Sequence, residues 1–415
     1  MSSVWELDEF KSYAQTFRDR NAVFATRFAY YEGTAYQYLK LLQRPLGSRV
    51  YKGIKGLYLP LHRAVDVAAG ITPGGWAWPE GMDEKLALAA KTVFNWSRWN
   101  TEGVLFVHYG ALFGNVLLKV ADLRDEKIVV IDPVSPNEVL LVSSGAYDAT
   151  PKLAITVCQR GSGPEAYEYA EVIDPEKVRT FKNGDPFGYD DRQPEYPNEL
   201  KFVPFVEVQH KRVGRTLGEN VFARVLPLLD EVNELASYLA DIIKKHVEPQ
   251  WAAIGAEPAE LEKSGESLWF FPEGSDVKAL VAQLDIAGVL AFLQDVKDEM
   301  KSGLPELAFD ELRSKDQIAT ATVELQLMEL TLKVKRTRPN YDAGLVGALR
   351  MAGRAAATLG IDEVSVLDDP TLAFDPDRPV LPLDPMTKMQ LEMQGLALEN
   401  EKALMTKEGK SADNA

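Results

Sequence analysis

The sequence predicts an α+β fold that is mostly helical, with its strands gathered into one antiparallel block. Three observations predict it. Apolar residues recur at helical spacing from the N-terminus to about residue 99. Short β-type runs then fill 103 to 209. At Gly218 the apolar period switches from two back to 3.6. With 415 residues, 46% of them apolar, the chain is long enough for two or three structural units.

Residues 4 to 44 read as helical, with Phe24, Phe28, Tyr31 and Ala35 recurring along one face, until Arg44-Pro45-Leu46-Gly47 breaks the pattern. Leu61, Val65 and Ala68 form a second stripe within 57 to 69. The Gly/Pro-rich stretch 71 to 82 reads as a loop, and its Trp76 and Trp78 face either a neighbouring molecule or a local core. Residues 82 to 99 form a third helix. The runs 104–110, 115–123, 127–131 and 138–142 then read as an antiparallel meander, with turn signals at Gly114-Asn115, Arg124-Asp125-Glu126 and Asp132-Pro133. Further strands are expected at 153–158, 165–173, 177–181 and 201–209, the last one after a polar loop at 183 to 198.

From Gly218 a long amphipathic helix is predicted. Val221, Val225, Leu228, Val232, Leu235, Leu239, Ile242 and His246 share one face. Asp230, Glu231, Glu234, Asp241 and Lys244 lie opposite. It spans about 30 residues, or about 45 Å, and Pro249 ends it. A compact insertion carries Trp251, Trp269, Phe270 and Phe271. A second helix follows at 285 to 301, with Val289, Phe292, Leu293, Val296 and Met300 on one side. After a polar loop at 302 to 320, residues 322 to 357 read as one very long helix. Pro339 inside it removes a backbone hydrogen bond and should kink it. The basic residues Lys333, Lys335, Arg336 and Arg338 precede that proline. A Pro/Asp-rich stretch leads to a last helix candidate at 385 to 405 and a small polar tail.

The chemistry of enzymes is not visible. There is no P-loop, no dinucleotide-binding glycine motif, no HExxH, no CxxC and no GxSxG. His62, His108, His210 and His246 have no partner at metal-ligand spacing. These absences predict a non-enzymatic protein with no cofactor and no metal. The single cysteine, Cys158, excludes an intrachain disulfide and fits a reducing cytoplasm. The formal charge of -16 opposes a tight grip on nucleic acid, though not passage of nucleic acid alongside. No apolar run approaches the roughly 18 residues of a membrane span.

Two long helices that flank a compact insertion cannot bury their stripes alone. Copies of the same pair would cover them in a closed ring. In this order the parts resemble the portal proteins of tailed bacteriophages, of the type found in long non-contractile-tailed phages and related prophages. The resemblance runs through residues 28–39 and 58–70, then 202–249, 269–306 and 373–405, and covers about 20 to 400.

The resemblance implies a portal fold. Residues 1–215 would form the wing, 216–250 the first stem helix, 251–284 a small α/β clip and 285–301 the second stem helix. Residues 302–321 would form the tunnel loop, 322–360 a long kinked wing helix, and 361–415 a small crown and C-terminal tail. It implies a homo-oligomeric ring, typically of twelve copies, at one capsid vertex in the virion, assembled in the host cytoplasm. Double-stranded DNA would pass through the ring during packaging and ejection. The terminase large subunit, the major capsid and scaffolding proteins and the head-tail adaptor would be its partners, with no membrane. Glu306, Asp310, Glu311, Arg313, Lys315 and Asp316 would face DNA from the tunnel loop. Asp230, Glu231, Glu234, Asp295, Asp298 and Glu299 would line the stem channel. Trp269, Phe270 and Phe271 would form a subunit-interface core or a docking surface for motor and adaptor. Other readings of the same residues are another structural virion or neck protein, or a cytoplasmic α+β enzyme with an unrecognised site.

Overall fold

The computed structural model describes residues 3–38, 55–143, 150–188, 193–214, 217–247, 250–254, 276–280, 286–307 and 320–380. The helical N-terminus is divided. A 3-10 turn at Val4–Glu6 precedes α1 (Lys11–Tyr31), and α2 (Ala35–Tyr38) follows. The break falls at Gly33, whose φ of +74° suits a residue without Cβ. Helices α3 (Leu61–Ile71) and α4 (Glu84–Trp96) come next. The Asp83 carboxylate caps α4 by accepting from the Lys85 N–H at 2.9 Å.

One expected strand is a helix. Residues 104–110 belong to α5 (Trp99–Phe113). From Gly103 onward it carries no Asp, Glu, Lys or Arg and a single histidine, His108, and the helix buries Trp99, Phe106, Val107, Ala111, Leu112 and Phe113. A run with no polar face gives no period, so helix and strand look alike in sequence. Gly114, at φ +79°, stops it.

The described strands before α6 form two sheets, not one meander. Strands β1 (Asn115–Leu123) and β2 (Ile128–Val134) make a hairpin paired from Leu117↔Val134 to Leu123↔Ile128. The second sheet runs β3 (Val139–Ser143), β4 (Pro151–Arg160), β5 (Tyr167–Ile173), β6 (Lys177–Lys182) and β7 (Asp185–Pro186) as consecutive antiparallel neighbours, with β8 (Glu195–Pro197) also on β6. The chain then returns: β9 (Phe205–Gln209) adds to the free edge of β1, from Asn115↔Gln209 to Lys119↔Phe205. With a neighbour on both sides, β1 has its first four residues buried.

Helix α6 (Leu226–Val247) has 22 residues, about 33 Å, against the 30 expected. Pro227 bears on the late start: it has no N–H to continue a helix from upstream. A hairpin of β10 (Gln250–Ile254) and β11 (Asp276–Leu280) leads to α7 (Ile286–Gly303), which packs on α6. A 3-10 turn at Pro305–Leu307 follows. Helix α8 (Thr320–Leu359) then runs 40 residues and continues through Pro339. The short α9 (Asp362–Ser365) closes the series.

Helix α8 organises the largest core. Tyr341, Leu345, Ala348, Leu349, Ala352 and Ala355 pack it against the β2-β1-β9 sheet and α5. The approach is close because the contact residues are small. A Cβ on Gly344 would lie 2.1 Å from Cγ2 of Val208, and one on Gly110 would lie 2.1 Å from the Tyr341 hydroxyl oxygen. A second core joins α1, α3, the end of α5, α6 and α7. A third seats Val4, Trp5, Phe10 and Phe17 on the second sheet.

Candidate functional site

Helices α6, α7 and α8, with the Pro305–Leu307 turn between the last two, carry most of the residues expected to act. On α6, Asp230, Asn233, Ser237 and Asp241 recur at three- and four-residue spacing. This stripe meets the chain's own residues 30 to 58. The Asp230 carboxylate accepts from the Tyr30 and Tyr36 hydroxyls, at 2.9 Å each. Asn233 Oδ1 accepts from the backbone N–H groups of Leu57 and Tyr58 at 2.8 Å, and its Nδ2 donates to the Tyr58 carbonyl. The Ser237 hydroxyl accepts from the Lys55 N–H, and the Lys55 ammonium pairs with Asp241. Burial holds the Asp230 carboxyl above its usual range, and the tyrosine hydroxyls partly offset this by bonding its charged form. Asp230 is thus an internal anchor and departs from the expected channel face, as Asp241 departs from the expected solvent face.

Glu231 is exposed and Glu234 half-exposed. Burial, then the charges of Glu231 and Asp230, raise the Glu234 carboxyl. On α7, Asp295, Asp298 and Glu299 are all exposed. Asp298 accepts from Gln294 Nε2 at 2.9 Å, which with Lys301 holds its carboxyl low.

Glu306 departs furthest from expectation. It is 2% exposed and pairs with the Lys333 ammonium of α8 at 2.7 Å. The flanking Leu304, Pro305 and Leu307 are buried too, so they draw the glutamate inward. Asp310, Glu311, Arg313, Lys315, Asp316, Trp269, Phe270 and Phe271 lie outside the described residues.

The basic cluster before Pro339 splits in two. Lys335 and Arg336 are exposed. Lys333 is taken by Glu306, and Arg338 is buried, donating to the carbonyls of Thr72 at 2.9 Å and Arg378 at 2.7 Å. Arg378 is itself buried. It holds Asp342 through two bonds at 2.6 and 2.9 Å and donates to the Pro73 carbonyl at 3.0 Å. This pair of guanidinium groups clamps residues 71–74 and 375–379 onto α8. Nothing in the local sequence around Arg378 marks it, because apart from the nearby Asp375 carbonyl its partners, Asp342 and Pro73, lie more than 30 positions away. Trp76 and Trp78 join a local core: Trp78 stacks on Phe374 at 4.6 Å between ring centroids and on Phe94 at 6.0 Å.

The same helices also leave large apolar side chains in the open. Tyr238 and Ile243 on α6, Leu290 and Phe292 on α7, and Met328 and Leu332 on α8 are 43 to 57% exposed in the single chain. Carboxylates and exposed apolar side chains thus occur together on α6 and α7 among the described residues.

Residues 107–364, more than half of the chain, match the family described as "Phage portal protein, SPP1 Gp6-like". The chain belongs to this phage portal protein family. The portal match opens inside α5 and closes inside α9, so it takes in both sheets, the α6–α7 pair and all of α8. This places the chain among the structural proteins of phage particles. Among solved structures, it is similar to a chain described as "Virion of native gene transfer agent (GTA) particle". That similarity has 13% identity and a TM-score of 0.41, over 83% of this chain and 86% of that one. No curated protein matches. Among the described residues no helix is long and apolar enough to cross a membrane.

Proposed function

We propose that this portal protein forms a closed ring of twelve copies at one capsid vertex, through which double-stranded DNA enters and leaves. The observation that carries the reading is the uncovered apolar surface of α6 and α7, on helices that also expose Glu231, Glu234, Asp295, Asp298 and Glu299. In a ring, each subunit covers its neighbour's stripe, and rotational symmetry closes the set without leaving an edge. The exposed carboxylates then face the bore. Twelve copies carry about -190 charges in all. An acidic wall repels phosphates and lets a duplex slide, where fixed Lys and Arg contacts would hold it.

In this reading α6 and α7 are the stem helices, the β10–β11 hairpin starts and ends the clip, and 302–321 is the tunnel loop. The loop leaves from a buried anchor, Glu306, rather than from an exposed hinge. The ring supplies no ATP hydrolysis. A terminase large subunit drives the DNA, and the major capsid, scaffolding and head-tail adaptor proteins meet the outer surface.

Light scattering on the purified chain, with negative-stain images of the same peak, tests this. Twelve copies of the 46.1 kDa chain give a particle of about 550 kDa with a central hole. A stable monomer that binds a nucleotide or metabolite tightly would overturn the portal reading in favour of an enzyme.

A further inference from the structure

An open groove of about 390 Å³ lies between α4 and the Gly-rich loop before it. Trp76, Trp78, Phe94 and Leu88 supply its apolar lining, with Glu84 and Lys91 on the α4 rim. Leu88 is 67% exposed, so this lining is open to an incoming chain.

The loop wall is held in an uncommon backbone conformation. Gly74, Gly75 and Trp76 take φ of +57°, +82° and +49° in succession. A positive φ is costly for a bulky residue and persists only where its surroundings fix it. Here the surroundings are the Arg338–Arg378 clamp, the tilted contact of Trp76 with Phe374 and the stack of Trp78 on Phe374.

The chain itself contains a segment of matching chemistry. Pro379, Pro382 and Pro385 recur every third residue in the sequence PVLPLDP. That is the repeat of a polyproline II helix, which has three residues per turn and so brings the prolines onto one face. Aromatic-lined grooves take such segments because the ligand is already extended and loses little entropy on docking. Asp384 adds a negative charge for Lys91 to meet.

The described chain ends beside this region but leads away from the groove. Phe374 lies on Trp78, the Pro379 carbonyl is near Gly74, and Val380 packs with Ile71, Leu330 and Val334. Residues 374 to 380 thus run antiparallel to 71–78 and leave at the far end from Trp78. Residues 381–385 directly follow Val380, so the groove they enter lies within about 17 Å of it, on a neighbouring copy.

We propose that the groove between α4 and the Gly-rich loop binds residues 381–385 of a second copy of this chain. The contact is a tail-to-groove link between subunits, separate from the helix stripes of α6 and α7. The link does not depend on the bore carrying DNA, so the test reads connectivity alone.

The test uses the full chain with Cys158→Ser, which removes its one thiol. Leu88→Cys and Leu383→Cys are added together, and the assembled protein is oxidised and run on a non-reducing gel. Leu88 is largely exposed, so its replacement leaves folding intact. The expected result is a ladder of covalent dimers and higher species. It should fall at least tenfold with Pro382→Ala plus Pro385→Ala, and with Lys91→Glu, and return when Lys91→Glu is combined with Asp384→Lys. An absent disulfide, one formed only within a single chain, or a ladder indifferent to the prolines would each overturn the proposal. If the ladder appears but particle mass shows no closed ring, the groove link stands and the ring reading fails.

Discussion

His210 and Tyr341 show how one buried contact sets a measurable property of the whole protein. The His210 Nδ1 lies 2.7 Å from the Tyr341 hydroxyl, and both residues are inaccessible or nearly so. Burial, with Lys333 and Lys211 adding to it, pushes the imidazole pKa down to about 3 from 6.5. The unfolded chain therefore binds this proton more readily than the folded one. Stability should fall as pH drops from about 6.5 toward 3, by about 1.4 kcal/mol per unit from this group alone. Urea unfolding of His210→Gln at pH 7.5 and 5.0 should show a flatter loss than the parent. Asp230 runs the other way. Its folded carboxyl is raised, so its relative contribution is present below the unfolded pKa and lost as pH rises through the folded one. Comparing parent and His210→Gln at each pH cancels that second effect. Glu306 and Lys333 give another test at this scale. Glu306→Ala leaves a half-buried ammonium without its carboxylate. The expected loss is about 2 kcal/mol, below the usual cost for a fully buried pair because Lys333 keeps some solvent. Glu306→Met with Lys333→Met should lose less than Glu306→Ala alone, read from the same urea midpoints.

Between elements, the close approach of α8 to its sheet depends on side chains that are missing. Gly344→Ala should cost at least about 1–3 kcal/mol, since the new methyl falls within the van der Waals radius of Val208. Combining it with Val208→Ala removes the clashing atom and should restore part of the loss, measured by thermal unfolding. Such contacts also mark where sequence patterns run out. The strands β4, β5 and β6 were legible because β-type runs and turn signals bound them. Helix α5 was not, because Val104 to Gly110 presents no polar face to set a period. The pairing of β9 with β1 was invisible, since more than 80 residues separate them and neither run says which edge it will join. The polar stripe on α6 failed for a related reason. Periodicity reports that Asp230 and Asp241 sit opposite the apolar face, but it does not report that Tyr30, Tyr36 and Lys55 await them there. The Arg338–Arg378 clamp had no local signature either. Its donors reach backbone carbonyls more than 200 residues away in the chain, at Thr72 and Pro73.

For the whole molecule, the two faces of the α6–α7 pair predict two separable failures. Phe292 is 51% exposed on α7, and in the ring reading it is covered by the next subunit. Phe292→Asp should leave the far-UV circular dichroism of the subunit unchanged, since the side chain contributes little to its own core. It should nonetheless block assembly, shifting the light-scattering peak from about 550 kDa to the mass of one or a few chains, because a charge placed in an apolar contact loses its solvation. The acidic residues should behave in the opposite way. Glu231, Asp295 and Asp298 are exposed on the same helices and Glu234 is half-exposed. Reversing them together to lysine should preserve the ring and change its relation to DNA. Each new cation that meets a phosphate adds about 0.9 to the slope of log affinity against log salt. The reversed ring should therefore retain duplex DNA at low salt and release it steeply as salt rises, while the parent ring retains none. A reversed ring that binds no DNA at any salt would place these carboxylates away from the bore. An intact ring with normal mass would then still stand on the apolar stripes, and only the assignment of its inner wall would have to change.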